Sequence, residues 1–253
     1  MLMLSRCLRV KMITGPSLDS SHPDASTAPR LECSATISPH AAPAMTDSAA
    51  HVAAAERFAR AIAHFDAANA DDPHHEIEDG RERPKELLYA ERLTAMLVRF
   101  APDASEALRL AARCQHIQRW RIPRGDYPMT RVGYQQWRTR LRAFHADLAG
   151  AILRDAGYGD ATIARVSSLI RKEALKTDTE AQALEDVVNL VFFESYLEDF
   201  VVKHAAYDAA KFRDILTKTA KKMSNHGREA ALTLISPPPA LMPLIRKTMG
   251  EDS

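Results

Sequence analysis

The sequence predicts an all-α fold: a single compact multi-helix domain behind an N-terminal extension. Three observations carry that reading. Apolar residues recur at helical spacing in one segment after another. Glycine is scarce, at nine residues, and aromatics make up 6%, both low for turn-rich β architectures. There is no alternating apolar–polar stretch bounded by hairpin turns, and no internal repeat.

Residues 1–44 stand apart. They mix Pro, Ser, Thr and Ala without a helical period, and Pro16, Pro23, Pro29, Pro39 and Pro43 would interrupt any element there. Arg6, Arg9 and Lys11 cut short any signal-type apolar run, while Asp19, Asp24 and Glu32 argue against a transit peptide. The expectation is a disordered extension or an over-extended start, with Met45 the true first residue and residues 45–253 the helical domain.

Within that domain a first helix spans Ser48 to Ala70, with Val52, Phe58, Ile62 and Phe65 on one face. Asp71 to Arg83 reads as a polar loop with Asp-Gly as a breaker. Pro84 suits the first position of a second helix. Asp103 and Glu106, in capping-box spacing, open a third that runs to about Trp120. Arg121 to Met129 is a loop. Thr130 caps a fourth helix ending near Gly157, and Asp160 a fifth reaching about Leu175. Thr177 and Glu180 start a sixth, to about His204. Asp208 begins a seventh, stopped by Asn225-His226-Gly227, and short helices flank Pro237-Pro238-Pro239.

Composition excludes several functions. Apolar residues at 46% suffice for a core, and a formal charge of +1 gives no pull toward nucleic acid or membrane. No apolar run approaches the roughly 18 residues that cross a bilayer. Of the three cysteines only Cys114 falls in the domain. That rules out a disulfide framework and a cysteine-based zinc site there, and fits a reducing, cytoplasmic setting. GxSxG, P-loop and GxGxxG patterns are absent.

The sixth segment is apolar nearly all round, so it predicts a buried central helix. Gln182, Asp186 and Asn189 nevertheless form one polar line on it. A lone carboxylate in a core costs several kcal/mol or shifts its pKa. Asp186 therefore calls for a partner: a metal, a cation or a histidine. Charge is also segregated. Thr177 to Val202 holds seven acids and no Lys or Arg, whereas Arg113 to Arg142 holds eight Arg and one acid. Either these helices face one another, or the Arg-rich segment binds an anion, since a guanidinium matches phosphate oxygens with a planar fork. His116, between Cys114 and Ile117, reads as a core histidine or as a ligand.

Four stretches carry a resemblance: Pro84-Lys-Glu-Leu-Leu-Tyr89, Ala112 to Arg124 followed by Tyr127-Pro, Gly133-Tyr-Gln-Gln-Trp-Arg138, and Gln182 to Glu194. Together they resemble domain-of-unknown-function family 4202 over residues 50–240, which implies a helical fold and no assigned activity. Gln115-His116 and Asp186 are also similar to the HD superfamily of metal-dependent phosphohydrolases, although no His-Asp doublet occurs and Tyr89 or Glu91 stands where a first His would be expected. That likeness implies an HD-like helical architecture and a divalent metal ion on His116 and Asp186, with Glu185 completing a catalytic set. The substrate would be a phosphorylated small molecule or nucleotide. Arg119, Arg124 and Lys172 would hold its phosphate and Trp120 or Tyr134 would stack a base. The alternatives are a non-catalytic anion- or nucleotide-binding module on a degenerate scaffold of the same kind, and a protein-interaction domain.

Overall fold

The computed structural model describes residues 47–204 and 209–250. The expectations for residues 1–44 and for a helix start at Asp208 lie outside the described residues.

The described chain is all-α apart from one hairpin. Helix α1 (Asp47–Ala70) leads into strands β1 (His75–Glu78) and β2 (Arg81–Pro84), then α2 (Lys85–Phe100), α3 (Glu106–Arg113), α4 (Arg131–Asp155) and α5 (Asp160–Arg171). Next come α6 (Thr179–Val191), a π-helical turn (Phe192–Tyr196), α7 (Leu197–Lys203), α8 (Ala209–Ala220), α9 (Asn225–Thr233) and α10 (Met242–Met249). Helix α6 is central as predicted, packing on α2, α3, α5 and α9, while α4 lies along α5. Leu184, Val187 and Leu190 of α6 meet Leu93, Leu110, Leu153 and Leu169 in the core. Burying each such side chain favours folding by about 1.5–3 kcal/mol.

Several sequence expectations need correction. The loop at 71–83 contains an antiparallel hairpin with register His75↔Pro84 through Glu78↔Arg81. Its turn is Asp79-Gly80, both at positive φ (50° and 74°), the geometry that matches strand twist. The strands carry charge on both faces, so no alternation announces them. What holds them is a lattice of ion pairs onto α2: Arg83 to Glu78 (3.1 Å) and Glu91 (2.6 Å), Lys85 to Glu76 (2.5 Å), and Arg92 to Glu78 (3.2 Å).

Helix α3 stops at Arg113 rather than running to Trp120, because the chain turns at once and Gln118 adopts a left-handed conformation (φ 48°). Asn69, buried at the end of α1, accepts the Gln118 backbone N–H at 2.9 Å and donates to the Glu86 carbonyl at 3.4 Å. Caps also shift. Ser105, not Asp103, caps α3, and Asp178, not Thr177, caps α6. Asn225-His226-Gly227 opens α9 instead of closing α8, with Ser224 as its cap. The sixth helix is interrupted by the π turn after Val191.

The facing-helix reading of the segregated charge fails in its simple form. The acids at the start of α6 pair with Arg165 of α5 through Asp178 and Glu180, and Glu194 takes Arg99 of α2 at 3.1 Å. Most of the arginines of α4 are thereby left for something else.

Candidate anion-binding site

Helices and turns from five parts of the chain converge on one partly open cavity of about 140 Å³. The turn after α3 brings Gln115, His116 and Arg119; α4 brings Arg138, Arg142 and His145; Lys172 ends α5; Glu185 comes from α6, and Lys222 follows α8. Five cations thus face a single carboxylate. Like charges this close repel unless an anion joins them.

Lys172 shows how the cavity is built. It is the residue after α5, held in the left-handed region (φ 59°), an uncommon conformation for a residue with a Cβ. The turn sends its side chain inward, where the ammonium pairs with Glu185; the two side chains are 7% and 8% exposed. Burial lowers the Lys172 pKa, opposed by Glu185. Burial raises that of Glu185, but Lys172, with Lys222 and Arg138 behind it, outweighs burial and leaves it lowered. The pair is therefore ionised. Among the described residues Arg138 and Lys222 have no ion pair of their own, and burial with the neighbouring Arg138 lowers the pKa of Arg142.

Unsatisfied polar atoms gather here as well. Among the described residues, Gln115 Oε1, Arg142 Nε and His145 Nε2 are buried without a hydrogen-bond partner, and all three residues line this cavity. The His145 Nδ1 donates to the Ile117 carbonyl at 2.8 Å, so its Nε2 is a bare acceptor. Burial pushes the His145 pKa down to about 4. Such orphaned groups are uncommon in folded proteins and call for an occupant.

His116 sits at the cavity's edge. Burial, then the nearby Arg119 charge, lowers its pKa well below the ordinary value. Arg119 Nη1 lies 3.4 Å from its Nε2; because a guanidinium only donates, Nε2 accepts and Nδ1 carries the proton. That Nδ1 faces Glu86 Oε2 at 3.7 Å, and the His116 ring stacks on Tyr89 with centroids 4.5 Å apart. Sequence reasoning missed Glu86. Its carboxyl is 8% exposed, makes no side-chain hydrogen bond among the described residues, and is pushed up to about 7, chiefly by burial. The backbone N–H of Glu86 is taken by Asp72 Oδ2 at 3.0 Å, a cap supplied from fourteen residues upstream because Pro84 has none to offer. Only the buried position of Asn69 and Asp72 discloses their role as braces for this corner.

Two further spaces adjoin. One of about 300 Å³ is walled by Tyr89, Phe192 and Tyr196 with Glu86, His116 and Arg119. The other, of about 600 Å³, is lined by His74, His75, Trp120, Arg124 and Trp137, again with Arg119 and Glu86. Arg119 borders all three.

The remaining sequence candidates divide. His116, Glu185, Arg119 and Lys172 come together. Trp120 borders the large outer space. Arg124 gives two guanidinium bonds to the carbonyls of Tyr127 (3.0 Å) and Pro128 (2.9 Å) in its own loop, so it shapes that loop and borders the outer space rather than the cationic cavity. Tyr134, 42% exposed, leans on Trp137 outside the cavity.

Asp186 is elsewhere. It borders a separate space of about 340 Å³ with Phe100, Thr179, Gln182, Ser224 and His226. Its oxygens accept from the Ser224 N–H (2.8 Å), the Ser224 hydroxyl (2.6 Å) and Gln182 Nε2 (3.0 Å). The expected partner was a metal, cation or histidine; the actual partners are a helix cap and an amide. Asn189 leaves the polar line and donates to the Glu185 carbonyl at 2.9 Å. Among the described residues no three His, Cys, Asp or Glu side chains gather as a metal-holding group. His116 and Asp186 thus do not fit a shared metal ion.

A family model described as "Domain of unknown function (DUF4202)" matches residues 59–245, about three quarters of the chain. The chain belongs to the DUF4202 family. Every residue of the cationic cavity falls inside the span that defines DUF4202 here. No curated protein matches the chain, and no solved structure matches it. Among the described residues of this DUF4202 chain no helix is long and apolar enough to cross a membrane.

Proposed function

We propose that this protein binds a phosphorylated small molecule through its phosphate, held by Arg119, Arg138, Arg142, Lys172 and Lys222. The observation that carries the reading is a cavity with five cations, one carboxylate and three buried polar atoms without a partner among the described residues. A phosphate ester in its dianionic form would offset half of the excess charge and accept from Arg142 Nε; in its monoprotonated form it would also donate to His145 Nε2.

Calorimetric titration with inorganic phosphate and pyrophosphate tests this. The wild-type chain should bind at millimolar concentration or better, and Arg138→Ala should bind at least about tenfold more weakly, since a charge-assisted hydrogen bond contributes about 1.5–3 kcal/mol. Saturation that is unchanged in Arg138→Ala and Lys222→Ala would remove this cavity as the site.

Hydrolysis of the bound ester is a second reading, favoured by neutral His116 beside Glu86. Once the Arg119 guanidinium turns from His116 Nε2 to the phosphate, that nitrogen would take a proton from the attacking water as its oxygen bonds to phosphorus, and the carboxyl of Glu86 would give one to the departing oxygen as its bond to phosphorus breaks. Phosphate release from a phosphate monoester, abolished in His116→Gln with binding intact, would establish it; no release at saturation leaves a binding module.

A further inference from the structure

The cationic cavity has a neighbour that answers a different chemistry. Its 300 Å³ is bounded by Tyr89, Phe192 and Tyr196, and it shares His116, Arg119 and Val188 with the phosphate end. The two spaces therefore adjoin at these residues. The π turn Phe192–Tyr196 forms one wall; π turns inside helices recur at functional sites because they trade regular bonding for side-chain placement. Tyr89 forms another, fixed by its stack on His116 and by Tyr196 at 5.8 Å.

The polar group of that wall is Glu86. Its carboxyl is almost fully buried, and its nearest polar neighbours, the neutral His116 ring and the Arg119 guanidinium, stand at 3.7 and 4.0 Å, beyond hydrogen-bond reach. A buried carboxyl without a hydrogen bond is costly, so a ligand edge with donors or acceptors would satisfy it.

The outer space offers a weaker seat for a ring. Trp137 has its face covered by Arg119 at 4.9 Å, its indole N–H spent on the Ile122 carbonyl at 2.9 Å, and 7% exposure.

Resting on the phosphate reading above, we propose that the ligand is a nucleotide-type phosphate ester. Its phosphate enters the cationic cavity, and its planar heterocycle lies among Tyr89, Phe192 and Tyr196 with Glu86 at its hydrogen-bonding edge. Base contacts with aromatic side chains are tolerant of base identity, so purine and pyrimidine monophosphates both qualify.

The test compares the full chain with inorganic phosphate, ribose 5-phosphate, AMP and UMP by calorimetric titration. AMP should bind at least about tenfold more tightly than ribose 5-phosphate. Tyr196→Ala should erase most of that ratio while leaving the ribose 5-phosphate affinity within about twofold. Phe192→Leu, checked for an unchanged melting transition, should reduce the ratio too, and Glu86→Ala should lower it several-fold. Equal affinity for AMP and ribose 5-phosphate would overturn the ring site and leave the phosphate site standing. A ratio lost in Trp120→Ala but kept in Tyr196→Ala would move the ring to the outer space and overturn the inference. Failure of inorganic phosphate and of all the esters to bind would overturn the phosphate reading itself.

Discussion

Glu86 and His145 are buried titratable groups in neighbouring walls, and each holds the protonation state that leaves it neutral. The Glu86 pKa is raised from 4.5 to about 7. Its folded form keeps a proton that the unfolded chain releases, so its contribution is complete below pH 4.5 and is lost as pH rises through 7. The His145 pKa is lowered from 6.5 to about 4, so its contribution is present above pH 6.5 and lost as pH falls through 4. Glu86→Gln removes the first effect alone. Its stability should match wild type near pH 4.5 and exceed it by about 1–3 kcal/mol near pH 8, at roughly 1.4 kcal/mol per pKa unit, in urea unfolding at both values. Asp186 makes the contrasting case. Asp186→Ala would orphan the Ser224 N–H and hydroxyl and cost about 1–3 kcal/mol, with phosphate affinity unchanged; a loss of affinity at full stability would return Asp186 to the site. Gly227 is the other half of that joint. A Cβ there would sit 2.6 Å from the Asp186 carboxylate carbon, so Gly227→Ala should destabilise by about 1–3 kcal/mol in thermal unfolding.

Elements act here by converging. The cationic cavity joins the turn after α3, the left-handed residue after α5 and the end of α8 to side chains from the middle of α4 and of α6. Helical periodicity located each element but not the place where separate elements meet. The hairpin has a matching role: it presses on the start of α2, where Glu86 and Tyr89 project. Gly80, at φ 74°, is required by its turn. Gly80→Val should cost about 1–2 kcal/mol by the left-handed strain of a branched residue, and should weaken ligand binding through Glu86 without touching the ligand. Unchanged binding with reduced stability would separate the hairpin from the site.

At the scale of the whole molecule, a nearly neutral chain hides a concentrated positive field. The formal charge is +1, yet five cations share one small cavity. That arrangement favours function at a cost to the empty protein. Arg138→Ala should raise stability in anion-free buffer by about 1 kcal/mol through relief of repulsion. The same variant should lose most of the stabilisation that millimolar phosphate gives the wild type. Scanning calorimetry in chloride and in phosphate at equal ionic strength checks both; a less stable variant in both buffers would mean that Arg138 serves packing instead.

The sequence by itself determined the all-α class, the helix order, the buried centrality of α6 and the concentration of arginine between Arg113 and Arg142. Those are local properties: spacing, breakers and composition act over one or two turns of chain. It also drew attention to His116 and Glu185 as polar residues amid apolar periodicity, to Arg119 through the concentration of arginine, and to Lys172 as the cation ending a helix. Only tertiary structure decided how they group. Glu185 and Asp186 are adjacent in sequence, but a helix turns about 100° per residue, so one faces the cations and the other the cap of α9. Arg119 and Arg124 look alike in sequence, but one borders three cavities and the other is tied to its own loop. Glu86, Asn69 and Asp72 gave no signal, since a carboxylate in a helix's first turn is ordinary until burial removes its water. The hairpin escaped because its strands are bound by cross-strand and helix-directed charge rather than by an apolar face. What a charged group does depends on which other charges and how much water surround it, and that is settled by the packing of distant segments.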